Sequence, residues 1–112
     1  MIFFIRHKID QVQYLLQKIF RGYSDLEVWG FYTYAAKYSL PRLKAMRKDL
    51  HGHPMDMSIT EWETILDTII YAMESIVKDE FGDVDGVKYV VDWEEVQEGC
   101  ELLGKYFTHL WD

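Results

Sequence analysis

From Thr60 onward the apolar residues fall at Trp62, Ile65, Leu66, Ile69, Ile70, Met73, Ile76 and Val77, in steps of one and three. An α-helix turns once in about 3.6 residues, so this spacing gathers all of them on one broad face. A strand would need alternation, which is absent. The spacing predicts a helix over 60–79 with that face in a core. A second stripe, Val96, Cys100, Leu103, Phe107 and Leu110, with Trp93 and Trp111 at its ends, predicts a helix after Asp92. It forms despite Gly99 and Gly104, each costing about 1 kcal/mol relative to Ala. Two such stripes bury one another only by helix-on-helix packing, so Ile65, Ile69, Met73, Val96, Leu103 and Phe107 are the expected core.

Three sites carry a helix-start pattern, a capping oxygen followed three residues later by Glu: Ser24 with Glu27, Thr60 with Glu63, and Asp92 with Glu95. The stretch Asp25 to Lys48 is helical in pattern but contains Pro41, which removes an N–H and clashes with the carbonyl four residues earlier. Either one kinked helix or two helices joined near Ser39 satisfies it. Ile9 to Phe20 presents Val12, Leu15, Leu16, Ile19 and Phe20 on one face and runs to Gly22, a fitting C-cap. Met1 to Ile5 either extends that helix or forms a short strand. Loops are expected at 49–58 and 81–91, where Gly and Pro interrupt the pattern. The expected fold is all-α: a small bundle of four to five helices, one kinked or broken near Pro41, forming a single domain over 1–112.

That length suits one core closed without disulfides or metal. Aromatic residues make up 16% of the chain, heavy for a small interior, so some rings should lie exposed as an interface. The candidates are Phe3, Phe4, Trp29, Tyr32, Tyr106 and Trp111. Cys100 is the only cysteine, which excludes an intramolecular disulfide and fits a reducing compartment. The start MIFFIRHKID is too short an apolar run for a membrane span and lacks the order of a signal peptide. The net charge of −7 is unevenly distributed. Residues 1–60 hold nine Lys and Arg against five Asp and Glu, and residues 61–112 hold three against fourteen. That gradient bears on partner choice and steering.

Arg21-Gly22-Tyr23-Ser24-Asp25, then Trp29, Ala36-Lys37, Leu40-Pro41-Arg42-Leu43-Lys44, Gly52-His53-Pro54, Glu61-Trp62, Ile65-Leu66-Asp67 and Ile70 form an ordered series. In that series the chain resembles a family of small uncharacterised proteins encoded by tailed bacteriophages, over about residues 21–74. The resemblance implies a viral origin and a place in the host cell cytoplasm. It implies no activity and no catalytic residues.

Four constellations carry possible chemistry. His51, His53 and Asp56 supply part of a divalent-metal ligand set, but no third His is spaced to complete it, so a polar turn leading into the next helix is expected instead. Glu80 with Asp83 and Glu95 with Glu98 have the spacing that puts two carboxylates on one helix face, as magnesium-dependent nucleotide hydrolases require. Gly82 undercuts the first pair, and a solvated acidic face accounts for Glu94, Glu95, Glu98 and Glu101. Lys37, Arg42, Lys44, Arg47 and Lys48 lie near Tyr34 and Tyr38, yet the acidic whole makes direct nucleic-acid binding an unexpected use. Cys100, on the apolar stripe, reads as a small hydrophobe.

The leading expectation is therefore a non-enzymatic phage accessory protein acting through protein–protein binding. Its partner would be itself, as a homodimer, or a host protein, with no cofactor and no membrane. In that dimer the basic 37–48 segment would face the partner's acidic helix. The alternatives are an acidic nucleic-acid mimic or inhibitor of a host defence protein, and a metal-dependent nucleotide hydrolase.

Overall fold

A computed structural model describes residues 2–81 and 91–110, and gives only the backbone of 2–7. Those residues form five α-helices and no strand: α1 (Ile2–Arg21), α2 (Asp25–Trp29), α3 (Phe31–Lys48), α4 (Ile59–Phe81) and α5 (Trp93–Lys105), followed by a 3-10 turn at Phe107–His109. The fold is all-α, as the two stripes require. Residues 2–5 extend α1 rather than forming a strand. Residues 82–90 of the loop expected at 81–91, Asp83 among them, and Trp111 lie outside the described residues. The chain divides between Tyr34 and Ala35 into two compact units.

In the second unit α4 is the centre. Ile69, Ala72, Met73 and Ile76 of α4, Ala36 and Leu43 of α3, and Val96 of α5 form the buried core. Ile65, Cys100, Leu102, Leu103 and Leu110 are partly buried against it. Leu66 and Ile69 are fully enclosed, each stabilising by about 1.5–3 kcal/mol relative to exposure. Trp62 is also buried, with the Tyr106 ring edge-on at 5.6 Å. Gly99 is needed for the close approach of α5 to α4. A Cβ there would collide with the Ala72 Cβ and come within 2.8 Å of the Thr68 carbonyl oxygen.

Several expectations are corrected. The α4 N-terminus lies earlier than the Thr60 pattern indicates: Glu61 N–H donates to Ser58 Oγ at 3.2 Å, and Thr60 stands inside the first turn. Ser58-Ile59-Thr60-Glu61 carries the same grammar two residues earlier. The break in the 25–48 stretch falls at Gly30, and α3 runs through Pro41 as one helix. Beside the proline the Arg42 guanidinium donates to the Tyr38 carbonyl at 2.7 Å and lies over the Tyr38 ring. Phe107 is 67% exposed and not core, because α5 ends at Lys105 and the tighter 3-10 turn rotates the ring off the helical stripe.

The basic segment finds its acidic partners on α4 of its own chain. Arg47 Nε donates to Asp67 Oδ1 at 2.9 Å and Nη2 to Glu63 Oε2 at 3.3 Å, while Lys44 pairs with Glu74 at 3.7 Å. Two of the five cations of the segment, Lys44 and Arg47, are thus engaged within the chain.

Candidate interaction surface

The first unit is built on the RGYSD run. Gly22, at φ +86°, takes the left-handed conformation that ends α1, and its N–H donates to the Lys18 carbonyl at 3.0 Å. Two residues on, Ser24 opens α2 and its N–H donates to Glu27 Oε2 at 2.7 Å, the reciprocal arm of a capping box. Arg21 Nη2 donates to Asp25 Oδ1 at 2.6 Å and its Nε to the Tyr23 carbonyl at 3.0 Å. The Gln17 amide completes the clasp in both directions, donating to Asp25 Oδ2 and accepting from Asp25 N–H, each at 2.8 Å. Lys18 pairs with Glu27 at 3.5 Å, and the Tyr14 ring meets Trp29 edge-on.

This clasp sets two carboxylates. Hydrogen bonds from Arg21 first, then Gln17, hold Asp25 below the usual carboxylate range, and the Ser24 backbone N–H does the same for Glu27.

Tyr14, Gln17, Lys18 and Arg21, spaced three, one and three apart, are the face that α1 turns toward α2. The opposite face carries Ile9, Val12, Leu15, Leu16, Ile19 and Phe20, and all are exposed, from 47% at Leu16 to 83% at Phe20. An isolated amphipathic helix ordinarily buries its apolar stripe and solvates its polar one. Within this unit α1 does the reverse. Trp29, Phe31 and Tyr32 add further exposed rings from the same unit.

Of the interface residues expected from sequence, Trp29 and Tyr32 are exposed, while Tyr106 is half-buried and its ring is engaged with Trp62. Phe3 and Phe4 lie in α1, but their side chains, like Trp111, fall outside the described residues. Composition pointed to rings, and to the exposed rings the structure adds the aliphatic stripe of α1.

Among the described residues of the second unit, two cavities bear on the expected sites. One, of about 560 Å³, is lined by His51, His53, Asp56, the buried Trp62 and also His109. His53 Nδ1 donates to the Pro54 carbonyl at 2.8 Å, which orients that ring within its own turn. Sequence spacing gave no hint of His109, which arrives only because the 3-10 turn follows α5. Among the described residues no three His, Cys, Asp or Glu side chains stand close enough together to hold a metal ion. The other cavity, about 330 Å³, brings Glu95 and Glu98 beside Asp67, Thr64, Thr68 and Tyr71. Asp67 is held there by Arg47, and Glu74 is engaged by Lys44 and Lys78 instead of lining the groove. Glu80 is exposed at the end of α4.

Glu94, Glu95, Glu98 and Glu101 are exposed along α5, whose N-terminus is capped by Asp92 accepting from the N–H groups of Glu94 and Glu95. Burial pushes the Cys100 thiol up, which keeps it protonated and poorly nucleophilic. No described helix is long and apolar enough to cross a membrane. The chain matches no family model, no curated protein and no solved structure.

Proposed function

We propose that this chain is a non-enzymatic phage accessory protein that works by binding protein through the apolar face of α1, joining either another copy of itself or a host protein. The observation that carries the reading is the orientation of α1. Its polar residues Gln17, Lys18 and Arg21 make the contact with α2, leaving Ile9, Val12, Leu16 and Ile19 uncovered within the unit. A contiguous apolar strip of that kind is characteristic of a binding surface. The phage assignment is supported by the RGYSD, LPRLK and GHP series. The clasp, the positive-φ glycine and the capping box give the first of these a structural purpose.

The test is capture from phage-infected cells by the wild type and by a Val12→Asp/Ile19→Asp variant. Proteins retained by the wild type and lost by the variant are expected. Identical recovery by both would contradict the reading.

The acidic face of α5 favours a second reading, imitation of nucleic acid. Glu94 to Glu101 covers about 10 Å of helix at roughly 1.5 Å per residue. Duplex DNA carries about six charges over that distance, more than these glutamates supply, so this reading ranks second. Competition by the protein against DNA for a DNA-binding host protein, lost on reversing Glu94, Glu95 and Glu98 to Lys, would raise it.

A further inference from the structure

We propose that the cavity between the 51–56 loop and the 3-10 turn binds a small, uncharged, planar ligand with an amino group on its edge: a free nucleobase or nucleoside carrying an exocyclic amine. It involves no residue of the α1 face.

The cavity lies wholly within the second unit, and its volume of about 560 Å³ falls in the roughly 300–1,000 Å³ range of small-molecule sites. Its walls come from two segments far apart in sequence. On one side His109 is set by an aromatic ladder: its ring lies 6.0 Å from that of Tyr106, which in turn meets Trp62 edge-on at 5.6 Å. Trp62, only 2% exposed, closes the floor and ties the ladder to the core. On the other side His51, His53 and Asp56 stand on the loop, whose turn is closed by Met57 N–H donating to the Pro54 carbonyl at 3.3 Å. Met55, also in the lining, is wholly exposed. An unbranched thioether there can lie along the face of a bound ring.

The hydrogen-bonding groups select the ligand. A carbonyl oxygen only accepts, so the 2.8 Å bond from His53 to Pro54 puts the proton on Nδ1 and leaves Nε2 of the neutral ring as an acceptor. The Asp56 carboxylate is a second acceptor. Two acceptors among flat rings call for a ligand that is itself flat and donates N–H, and an exocyclic amine on a heteroaromatic ring does both.

Other occupants fit less well. A phosphate group is ordinarily met by Lys or Arg, and among the described residues none lines the cavity. A metal ion would suit His53, since ligating imidazoles commonly donate their other N–H to a backbone carbonyl, but no three described donors converge. The net charge of −7 favours a free base over one carried on a strand, whose phosphates it repels.

Cytidine and adenosine carry the amine and uridine does not, so the test is to titrate the full chain with each and follow the His53 and His109 imidazole resonances by NMR. At least one of cytidine and adenosine should shift both histidines saturably, and uridine should bind at least about tenfold more weakly. Asp56→Ala and His53→Ala, both at exposed positions, should each weaken that binding about tenfold or more with unchanged helical circular dichroism. Absence of saturable shifts with either amino nucleoside overturns the inference, and so does equal binding of uridine or binding that survives both substitutions. Saturation by inorganic phosphate alone or by zinc alone, at lower concentration than by the nucleosides, assigns the cavity to an anion or a metal ion and overturns it. A single-stranded oligonucleotide that binds the same histidines more tightly than the nucleosides overturns the free ligand.

Discussion

α4 and α1 carry apolar stripes of similar length, yet Leu66 and Ile69 of α4 have no exposed surface while Ile19 and Phe20 of α1 are 65% and 83% exposed. The difference lies in what the chain offers each helix. Beside α4, small residues at Ala72 and Gly99 let α5 approach until backbone nearly touches side chain, and the apolar faces close on each other. Within its own unit α1 meets a five-residue helix tied on by charge and amide, and that tie uses the polar side. Periodicity reports that a helix has an apolar face. It does not report whether that face is completed within the chain or by another molecule.

The sharpest way to break the comparison is to place the same charge on each stripe. Ile69→Asp strands an unpaired carboxylate in the core and should cost more than about 4 kcal/mol, abolishing cooperative thermal unfolding. Val12→Asp should change the unfolding free energy of the dissociated chain by no more than about 0.5 kcal/mol. Equal losses in calorimetry would mean that α1 is as buried as α4.

The next effect separates two glycines of α5. Gly99→Ala forces a methyl into Ala72 and the Thr68 carbonyl and should destabilise by about 1–3 kcal/mol. At Gly104 an added Cβ meets nothing within 4 Å, so Gly104→Ala should be neutral or stabilise by up to about 1 kcal/mol. Denaturant midpoints moving in the same direction would remove the close α4 to α5 approach from the account.

Smallest is the acid response of the clasp. Asp25 and Glu27 have folded pKa values below their unfolded ones, so their contribution is present above the unfolded values and fades as pH falls through the folded values, below about pH 4. Arg21→Ala removes the largest cause at Asp25. Its carboxyl resonance should then titrate at higher pH, while that of Glu27 moves little, because its main donor is the Ser24 backbone. An unmoved Asp25 titration would show that Arg21 does not hold it.

Much of this fold was legible because its signals are local. The stripe after Thr60 and the Asp92 cap located α4 and α5 to within a few residues. Where two local signals competed, the weaker-looking one prevailed: Ser58 starts α4 ahead of Thr60, and Gly30 divides the 25–48 stretch while Pro41 is carried inside α3. The rest depended on distance along the chain. Nothing in the spacing of Arg47, Asp67 and Glu63 says that they meet, and nothing brings His109 to His51 and His53 except the packing of α5. The surplus of aromatic rings foretold an exposed surface. Its location on α1 could not be read, because an exposed and a buried stripe are written in the same residues.

The most direct measurement is the accessibility of individual methyl groups to a soluble paramagnetic agent, followed by NMR as the protein is diluted. The account predicts that the Leu66 and Ile69 methyls stay protected at every concentration, while those of Val12, Leu16 and Ile19 are accessible in dilute protein. Protection of the α1 methyls that is independent of concentration would contradict it, since their cover would then belong to the same chain.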